Sequence, residues 1–290
     1  MRTERQMYDL ILDVARRDER VRLVGLNGSR ANPNAPRDRF QDFDVVFAVT
    51  ELGPFLHDDG WLAVFGERVI LQKPEAMTLY PPSLGGWFSY LMQFTDGNRI
   101  DLILLPLSDL ERYLHGDSQT VILLDKDGRA GELPPPSDCQ YHVKRPSAAE
   151  FDDCCNEFYW VSAYVAKGLC RKELLFAAEH MGQYVRKELL RMLSWQVGTQ
   201  TGFSVSVGKC CKYIRPYLSP EDWDALLHTY RLDTPEGCWD ALYTAYGLFE
   251  KSARLVAKRL AYAYPEYGER VTAYVDGLRR EWDNKGKGRE

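Results

Sequence analysis

The stretch that decides the fold is residues 21–49. It begins with the segment Val21-Arg22-Leu23-Val24-Gly25-Leu26-Asn27-Gly28-Ser29-Arg30 and ends with the segment Gln41-Asp42-Phe43-Asp44-Val45-Val46-Phe47-Ala48-Val49. The first segment predicts a short apolar strand that ends in a tight turn, because glycine permits backbone conformations that other residues avoid. Between the two segments lies a loop with two prolines, two asparagines and three charged residues. The pattern therefore predicts a strand, a glycine turn, a loop and a second strand.

The second strand carries two acids, Asp42 and Asp44. Side chains two residues apart on a strand share a face, so these carboxylates lie side by side. Adjacent carboxylates repel each other and are tolerated either at a solvated strand end or around bound divalent cations. The apolar run after Asp44 indicates that the strand continues into a core. We therefore favour a metal site, with a solvated strand end as the alternative.

The composition indicates a globular protein with one large domain or two ordinary ones. The 290 residues are 45% hydrophobic and 27% charged, which suffices for a sizeable core. A net charge of -5 argues against a nucleic-acid partner, which usually requires a basic excess, and is compatible with a cationic substrate.

The sequence gives no sign of membrane insertion or export. No apolar run approaches the roughly 20 residues that span a bilayer, and the N-terminus lacks the apolar core of a signal peptide. We therefore expect a cytoplasmic protein without a membrane partner. None of the seven cysteines forms a Cys-x-x-Cys element, so we expect reduced thiols rather than zinc or disulfides.

The rest of the first half predicts a mixed α and β structure. Asp-Gly between apolar runs is a strong hairpin signal, and it occurs in the turn Thr95-Asp96-Gly97-Asn98 between strands 87–94 and 99–105. A third acid, Asp101, lies near the start of the second strand of this hairpin. The further expected elements are helices at 3–17, 52–65 and 108–114, strands at 68–72 and 120–124, and an irregular loop at 73–86.

The composition changes at the segment Leu133-Pro134-Pro135-Pro136-Ser137. Beyond it strand signals vanish and helical periodicity dominates, with apolar stripes such as Cys154, Phe158, Val161 and Val165. We predict an α+β domain at 1–134, with a mixed β-sheet flanked by helices, a linker at 135–147 and an all-α helical bundle at 148–290.

The chemistry-bearing residues of the first half point to transfer of a phosphorus group. A turn built on Gly28 lets backbone amides approach an anion closely, and Ser29 and Arg30 add donors for phosphate oxygens. Two to three carboxylates around a pair of Mg²⁺ ions, roughly 3.5 to 4 Å apart, form the usual clamp for in-line attack at phosphorus. The combination predicts phosphoryl or nucleotidyl transfer.

These motifs resemble the fingerprint of the DNA polymerase beta-like nucleotidyltransferase superfamily, which is Gly-Ser, then Asp-x-Asp, then a distal Asp. A narrower resemblance, to the aminoglycoside 6-adenylyltransferases that modify streptomycin, spans both halves of the chain. It is carried by the segments Asn27-Gly28-Ser29-Arg30-Ala31, Asp42-Phe43-Asp44, Arg99-Ile100-Asp101-Leu102, Phe158–Leu169 and Ser206-Val207-Gly208-Lys209.

The resemblance implies transfer of AMP from ATP to a hydroxyl of streptomycin, with Mg²⁺ required and pyrophosphate released. Asp42 and Asp44 would hold the metals, and Asp101 would complete the metal shell or accept the proton of the attacking hydroxyl. Because an acid bound to Mg²⁺ is a poorer base, the two roles compete, and we favour Asp101 as base or as both. The alternatives are another acceptor (a different aminoglycoside, a lincosamide or a protein hydroxyl) or a non-catalytic nucleotide-binding regulator.

The second half supplies further candidates on one predicted helix. Trp160, Tyr164, Lys167 and Arg171 share a helix face, which would bring Trp160 to the substrate and Lys167 to the nucleotide. The alternative is a solvated basic surface with partly buried aromatic rings.

Two further residues of the second half are predicted from the chemistry of the substrates. Lys209, after Gly208, is a candidate for binding the triphosphate. Glu179 is a candidate for contacting a cationic acceptor, and the loop 81–87 could flank that acceptor. Each of these could instead be an ordinary exposed residue. The sequence does not predict the oligomeric state.

Overall fold

The chain forms two compact units, Met1–Gln140 and Tyr141–Glu290. The structure is a computed structural model that describes residues 1–287. The first unit contains a six-stranded sheet and the second consists of helices, so the predicted α+β class is confirmed. The division falls inside the proline-containing segment 135–147, which was predicted as a linker; the linker and domain boundaries themselves stay a prediction.

The first unit is built on a mixed sheet with the strand order β3-β4-β5-β2-β1-β6. The strands β2 and β5 are parallel, and every other neighbouring pair is antiparallel. The strands are β1 (Val21–Asn27), β2 (Phe43–Val49), β3 (Arg68–Gln72), β4 (Phe88–Phe94), β5 (Arg99–Pro106) and β6 (Val121–Asp125). The helices are α1 (Glu4–Arg17), α2 (Gly28–Ala31), α3 (Gly53–His57) and α4 (Leu110–Leu114).

The two faces of this sheet differ in what covers them. Alternate residues of β2 such as Phe43, Val45 and Phe47 pack with Met7 and Ile11 of α1 in the main core of the unit. The opposite face carries a smaller cluster of apolar side chains around α4. This face also carries Asp44, because successive strand residues point to opposite sides. The alternation therefore buries one face of β2 and leaves an acid on the other.

The predicted hairpin and the short strand 68–72 are confirmed. In the hairpin turn, Gly97 has a φ of 85°, a conformation that favours glycine. The segment expected to be helical at 52–65 instead breaks after α3 and continues as a 3₁₀ helix, Asp59–Phe65. The break follows from Asp58, whose side chain caps the N–H of Gly60, so that a new helical segment begins there.

The second unit contains six α-helices in its described part and a π-helical turn, Met181–Val185. The predicted stripe of the first helix is buried, including Phe158 and Val165. Met181, Val185 and Leu189 are buried as well, so the apolar side of the segment continues from the π-helical turn into the helix that follows it. The helices are α5 (Ala148–Cys170), α6 (Leu174–His180), α7 (Arg186–Thr201), α8 (Pro220–His228), α9 (Pro235–Leu260) and α10 (Tyr267–Lys287).

Side-chain caps fix where several of these helices begin. Ser147 and Glu150 form a reciprocal capping box at the start of α5. Ser219 and Thr234 cap α8 and α9, and a proline follows each of them, as the sequence predicted for α8. Within residues 1–287, no helix is both long and apolar enough to cross a membrane.

Candidate active site

The strand register places the predicted acids side by side. Asp44 of β2 pairs with Asp101 of β5, and on its other side Asp44 pairs with Asn27 of β1. Leu91 of β4 pairs with Asp101. These four residues form one row across the sheet, and cross-strand partners share a face. Asp44 of the Asp-x-Asp motif and Asp101 therefore lie next to each other in the sheet, although they are 57 positions apart in the sequence.

The turn at Gly28 closes directly on Asp44. Gly28 has a φ of +66°, and a Cβ there would lie 2.0 Å from Oδ2 of Asp44. A side chain at this position would displace the carboxylate. Ser29 follows in the first turn of α2, and its hydroxyl has no hydrogen-bond partner in the part of the chain that the structure describes. The turn therefore offers a free hydroxyl next to the acid row.

Arg99 brings positive charge to the acids. Its Nε and Nη2 each donate a hydrogen bond of 2.7 Å to Asp101, and its Nη1 lies 3.6 Å from Oδ2 of Asp42. Arg99 was missed as a site residue by the sequence reasoning. It lies two positions before Asp101 on the same strand, so the period-two rule that paired the acids could also have placed it on their face.

The surroundings of Asp44 disfavour the charged form of its carboxyl group. Burial is the main cause that raises the pKa of its carboxyl from 3.8 to about 6, and the negative charges of Asp101 and Asp42 raise it further against Arg99 and Arg30. A carboxyl held in such repulsion within a cavity is typical of a functional site.

Arg30, predicted as a phosphate donor, is engaged elsewhere. Its Nε and Nη2 donate to the backbone oxygens of Asp42 at 3.0 Å and Gln41 at 2.8 Å. Its Nη1 pairs with Glu4 at 3.0 Å, and the guanidinium lies over the ring of Phe43 at 3.7 Å. These contacts give Arg30 a positioning role for the segment that enters β2, which differs from the expectation.

A cavity of about 620 Å³ lies on the acid row. Asp44 and Asp101 line it together with Val46 and Ile103 from the next row of the sheet. The loop 81–87, which the sequence predicts to flank the acceptor, contributes Ser83, Leu84 and Trp87 to the wall. Wall residues that the sequence reasoning did not single out are Glu75, Ser89, Arg112, Tyr113 and Asp117.

Tyr113 holds the glycine turn in place. Its hydroxyl donates to Oδ1 of Asn27 at 2.8 Å, and Nδ2 of Asn27 donates to the hydroxyl of Thr120 at 2.8 Å. The ring occupies the space above Gly25, where a Cβ would lie 1.8 Å from the Tyr113 hydroxyl. Burial raises the pKa of Tyr113, so this hydroxyl remains a donor at ordinary pH.

The donor set suits a hard divalent cation, since carboxylate oxygens are the ligands that Mg²⁺ prefers. Asp44 and Asp101 are partners on adjacent strands, and Asp42 is linked to them by its ion pair with Arg99. Across residues 1–287, no three or more His, Cys, Asp or Glu side chains are gathered closely enough to hold a metal ion as they stand. A cation at this row would relieve the repulsion from Asp101 and Asp42, which adds to burial in raising the pKa of Asp44.

The candidates of the second unit lie on its surface. Trp160 is 63% exposed and packs edge-on against Tyr164, while Lys167 lies 6.0 Å from the centre of the Tyr164 ring. Glu179 is exposed and accepts a hydrogen bond from Gln183. Lys209 is exposed and follows Gly208, whose φ is 72°. On the predicted aromatic and basic face of α5, Trp160, Tyr164 and Arg171 are exposed and Lys167 is half-buried.

Comparison with known proteins decides the family. The family model described as streptomycin adenylyltransferase matches residues 1–278. The chain belongs to the streptomycin adenylyltransferase family. It is an enzyme, an adenylyl-transferring nucleotidyltransferase, and the resemblance seen in the sequence is confirmed.

Relatives of similar length agree with this assignment. An aminoglycoside 6-adenylyltransferase of Bacillus subtilis (strain 168) is 48% identical over 279 residues, which cover 96% of this chain and 98% of the relative. One from Campylobacter jejuni is 47% identical over 289 residues, covering 98% and 100%. A crystal structure of an aminoglycoside 6-adenyltransferase from Bacillus subtilis is 44% identical, covers 96% of this chain and 99% of its own, and superposes with a TM-score of 0.48.

Proposed function

We propose that this enzyme transfers AMP from Mg-ATP to the 6-hydroxyl of streptomycin, releases pyrophosphate and thereby confers resistance to the antibiotic. The observation that carries the chemistry is the pairing of Asp44 with Asp101 on the floor of the cavity. The choice of acceptor is supported by the match of the family along residues 1–278 and by relatives named aminoglycoside 6-adenylyltransferase.

The acids Asp42, Asp44 and Asp101 would hold Mg²⁺. Bound there, the metal would neutralise charge on the phosphoryl group that is transferred. The raised pKa of Asp44 supports the proposal: burial is its main cause, and the added repulsion from Asp101 and Asp42 would be relieved by a bound cation.

We assign Asp101 the role of the base that accepts the proton of the attacking hydroxyl. The acceptor oxygen forms a bond to the α-phosphorus, the bond from that phosphorus to the leaving pyrophosphate breaks, and the proton passes to the carboxylate. Arg99 donates to both oxygens of Asp101, so the guanidinium occupies the positions from which the carboxylate would accept the proton. An incoming phosphate competes for the guanidinium, so nucleotide binding draws Arg99 away and frees Asp101 for proton transfer.

Further residues would contact the nucleotide and the acceptor. The turn at Gly28 and the free hydroxyl of Ser29 would contact phosphate oxygens, and Lys167 and Lys209 would supply positive charge to the nucleotide. The exposed Trp160 and Glu179 would contact the acceptor through its rings and its cationic groups, respectively. These roles rest on residue type and exposure.

Mass spectrometry and a pyrophosphate assay test this function directly. The purified enzyme with ATP, MgCl₂ and streptomycin is expected to yield streptomycin that carries one adenylyl group, with one pyrophosphate released per product. Other aminoglycosides and a lincosamide are compared as acceptors. Transfer to one of these but not to streptomycin would reassign the acceptor, and absence of pyrophosphate with every acceptor would contradict the proposal.

A further inference from the structure

Glu75 is an acid in the cavity wall that the proposed chemistry does not use. It lies in a 3₁₀ turn, Pro74–Ala76, and lines the same cavity as Asp44 and Asp101. Its Oε2 accepts hydrogen bonds from the backbone N–H of Ser89 at 3.0 Å and from the Ser89 hydroxyl at 2.6 Å. Its Oε1 has no partner within residues 1–287. One oxygen is therefore fixed by the sheet and the other remains for a ligand.

The register locates Glu75 relative to the acid row. Ser89 pairs with Ile103, which is two residues beyond Asp101 on β5. With strands about 4.8 Å apart and a rise of about 3.3 Å per residue, the Cα of Ser89 is roughly 8 Å from that of Asp101 and roughly 12 Å from that of Asp44. Glu75 rests on Ser89, at the other end of the cavity floor. At this distance it does not share a proton or a metal ion with the acid pair.

The charges of the cavity favour a cationic ligand. Besides Glu75, the acids Asp44, Asp101 and Asp117 line it. Of the lining side chains in the described chain, only Arg112 is cationic, and it is paired with Asp109 at 3.0 Å. Although Arg99 also pairs with Asp101, acids predominate, and a concave site in which one sign of charge predominates concentrates ligands of the opposite sign.

The wall of this end suits a sugar ring. Leu84 and Trp87 line the cavity, and the indole N–H of Trp87 donates to Asp109 at 2.8 Å, which fixes the ring. Apolar and aromatic side chains with a few placed polar groups are typical of small-molecule sites. This end of the cavity therefore combines an apolar surface with an available carboxylate oxygen.

We propose that Glu75 binds a cationic group of the acceptor, a group that lies on the order of 8–12 Å from the reacting hydroxyl, and so selects polycationic acceptors. The inference rests on the proposed function and deepens it. Ser89 is a positioning residue, because it fixes Oε2 and thereby aims Oε1. Glu75 contributes to binding in the ground state and the transition state alike, and takes no part in the transfer itself.

Steady-state kinetics of Glu75→Gln test the proposal. The substitution removes the charge but keeps an oxygen that accepts from Ser89. We expect the KM for streptomycin to rise at least about tenfold, with kcat and the KM for ATP within about twofold of wild type, since loss of uniform binding raises KM alone. The control is Glu51→Gln, which changes an exposed acid outside the cavity and is expected to alter neither constant.

Ionic strength and Ser89→Ala distinguish binding from a structural effect. The KM for streptomycin of the wild type is expected to rise with salt more steeply than that of Glu75→Gln, because salt screens the charge pair. Ser89→Ala is expected to raise the same KM by a smaller factor. Unchanged KM values would overturn the proposal. A rise confined to the KM for ATP would also overturn it, because Glu75 would then contact the nucleotide.

A failure of the proposed function can be distinguished from a failure of the inference about Glu75. If the wild type transfers no AMP to streptomycin, that function is wrong, and titration calorimetry with streptomycin then tests Glu75 without turnover. Weaker binding by folded Glu75→Gln than by wild type would support the inference. Equal binding, or none to either protein, would overturn it.

Discussion

At the scale of the residue, the raised pKa of Asp44 lowers the stability of the folded chain. Its folded-state pKa of about 6 lies above the ordinary 3.8, so the folded chain binds a proton more tightly than the unfolded chain does. The fold consequently loses stability as the pH rises from about 4 to about 6, and remains penalised above that range. The divalent cation that we propose beside Asp44 would stabilise its charged form and offset this loss.

Asp44→Asn is therefore expected to stabilise the metal-free protein. The gain is on the order of 1–2 kcal/mol at pH 7.5 and vanishes near pH 4, where the native carboxyl is also protonated in the folded state. Denaturant unfolding in EDTA at the two pH values measures it. Asp9→Asn, at an exposed position on α1, is the control and is expected to give no such gain; a loss of stability for Asp44→Asn at pH 7.5 would contradict the account.

Gly28→Ala is expected to disable the site while the fold persists. The new Cβ would lie 2.0 Å from Oδ2 of Asp44 and would require a φ of +66°, so either the turn or the carboxylate must move. A displacement of about 1 Å can reduce turnover by about 10²-fold. The matched control is Gly53→Ala, where a Cβ meets nothing within 4 Å. AMP transfer by Gly28→Ala at the rate of Gly53→Ala would show that the turn does not need glycine.

At the scale of the element, the β4–β5 hairpin is anchored by its turn. Asp96 accepts from the backbone N–H and Nε of Arg2 at 3.0 and 2.7 Å and from the backbone N–H and Nδ2 of Asn98 at 3.0 and 2.9 Å. Arg2 is the main cause that holds the pKa of Asp96 well below its usual range. The turn thus ties the hairpin to the start of α1.

Asp96→Ala is expected to lower the free energy of unfolding by about 2 kcal/mol at pH 7, the scale of hydrogen bonds to a charged group. Because the folded pKa is depressed, this contribution is present above about pH 4 and is lost as the pH falls toward the folded pKa. Chemical denaturation of both proteins from pH 7 down to pH 3 measures the difference. A difference that stays constant over that range would assign the effect to packing instead of charge.

Also at the scale of the element, the sequence predicted the strands of the sheet better than the positions at which the helical segments break or change type. The hairpin and β3 follow from turn chemistry and alternation, which act locally. The break after α3 follows from the cap made by Asp58, and the π-helical turn 181–185 changes the helix type while Met181 and Val185 stay buried. Both depend on local geometry that the spacing of apolar residues does not record.

At the scale of the whole molecule, the acid row was predictable and the cavity wall was not. Asp42, Asp44 and Asp101 stand out because charge before a buried strand is rare and the period of two fixes their face. Glu75 belongs to a loop without periodicity, and only the pairing of β3 with β4 brings it over Ser89. Arg30 is predicted to contact phosphate because it follows Gly28 and Ser29, and in the structure its guanidinium donates to the backbone oxygens of Gln41 and Asp42.

Transfer of AMP by variants of the two paired acids tests the central claim most directly. Wild type, Asp44→Asn, Asp101→Asn and the control Asp9→Asn are incubated with ATP, MgCl₂ and streptomycin, and adenylylated streptomycin is quantified by mass spectrometry while thermal unfolding verifies the fold. We expect wild type and the control to form product at equal rates and each acid variant to be slower by at least about 10²-fold. Near-wild-type turnover by either folded acid variant would contradict the account.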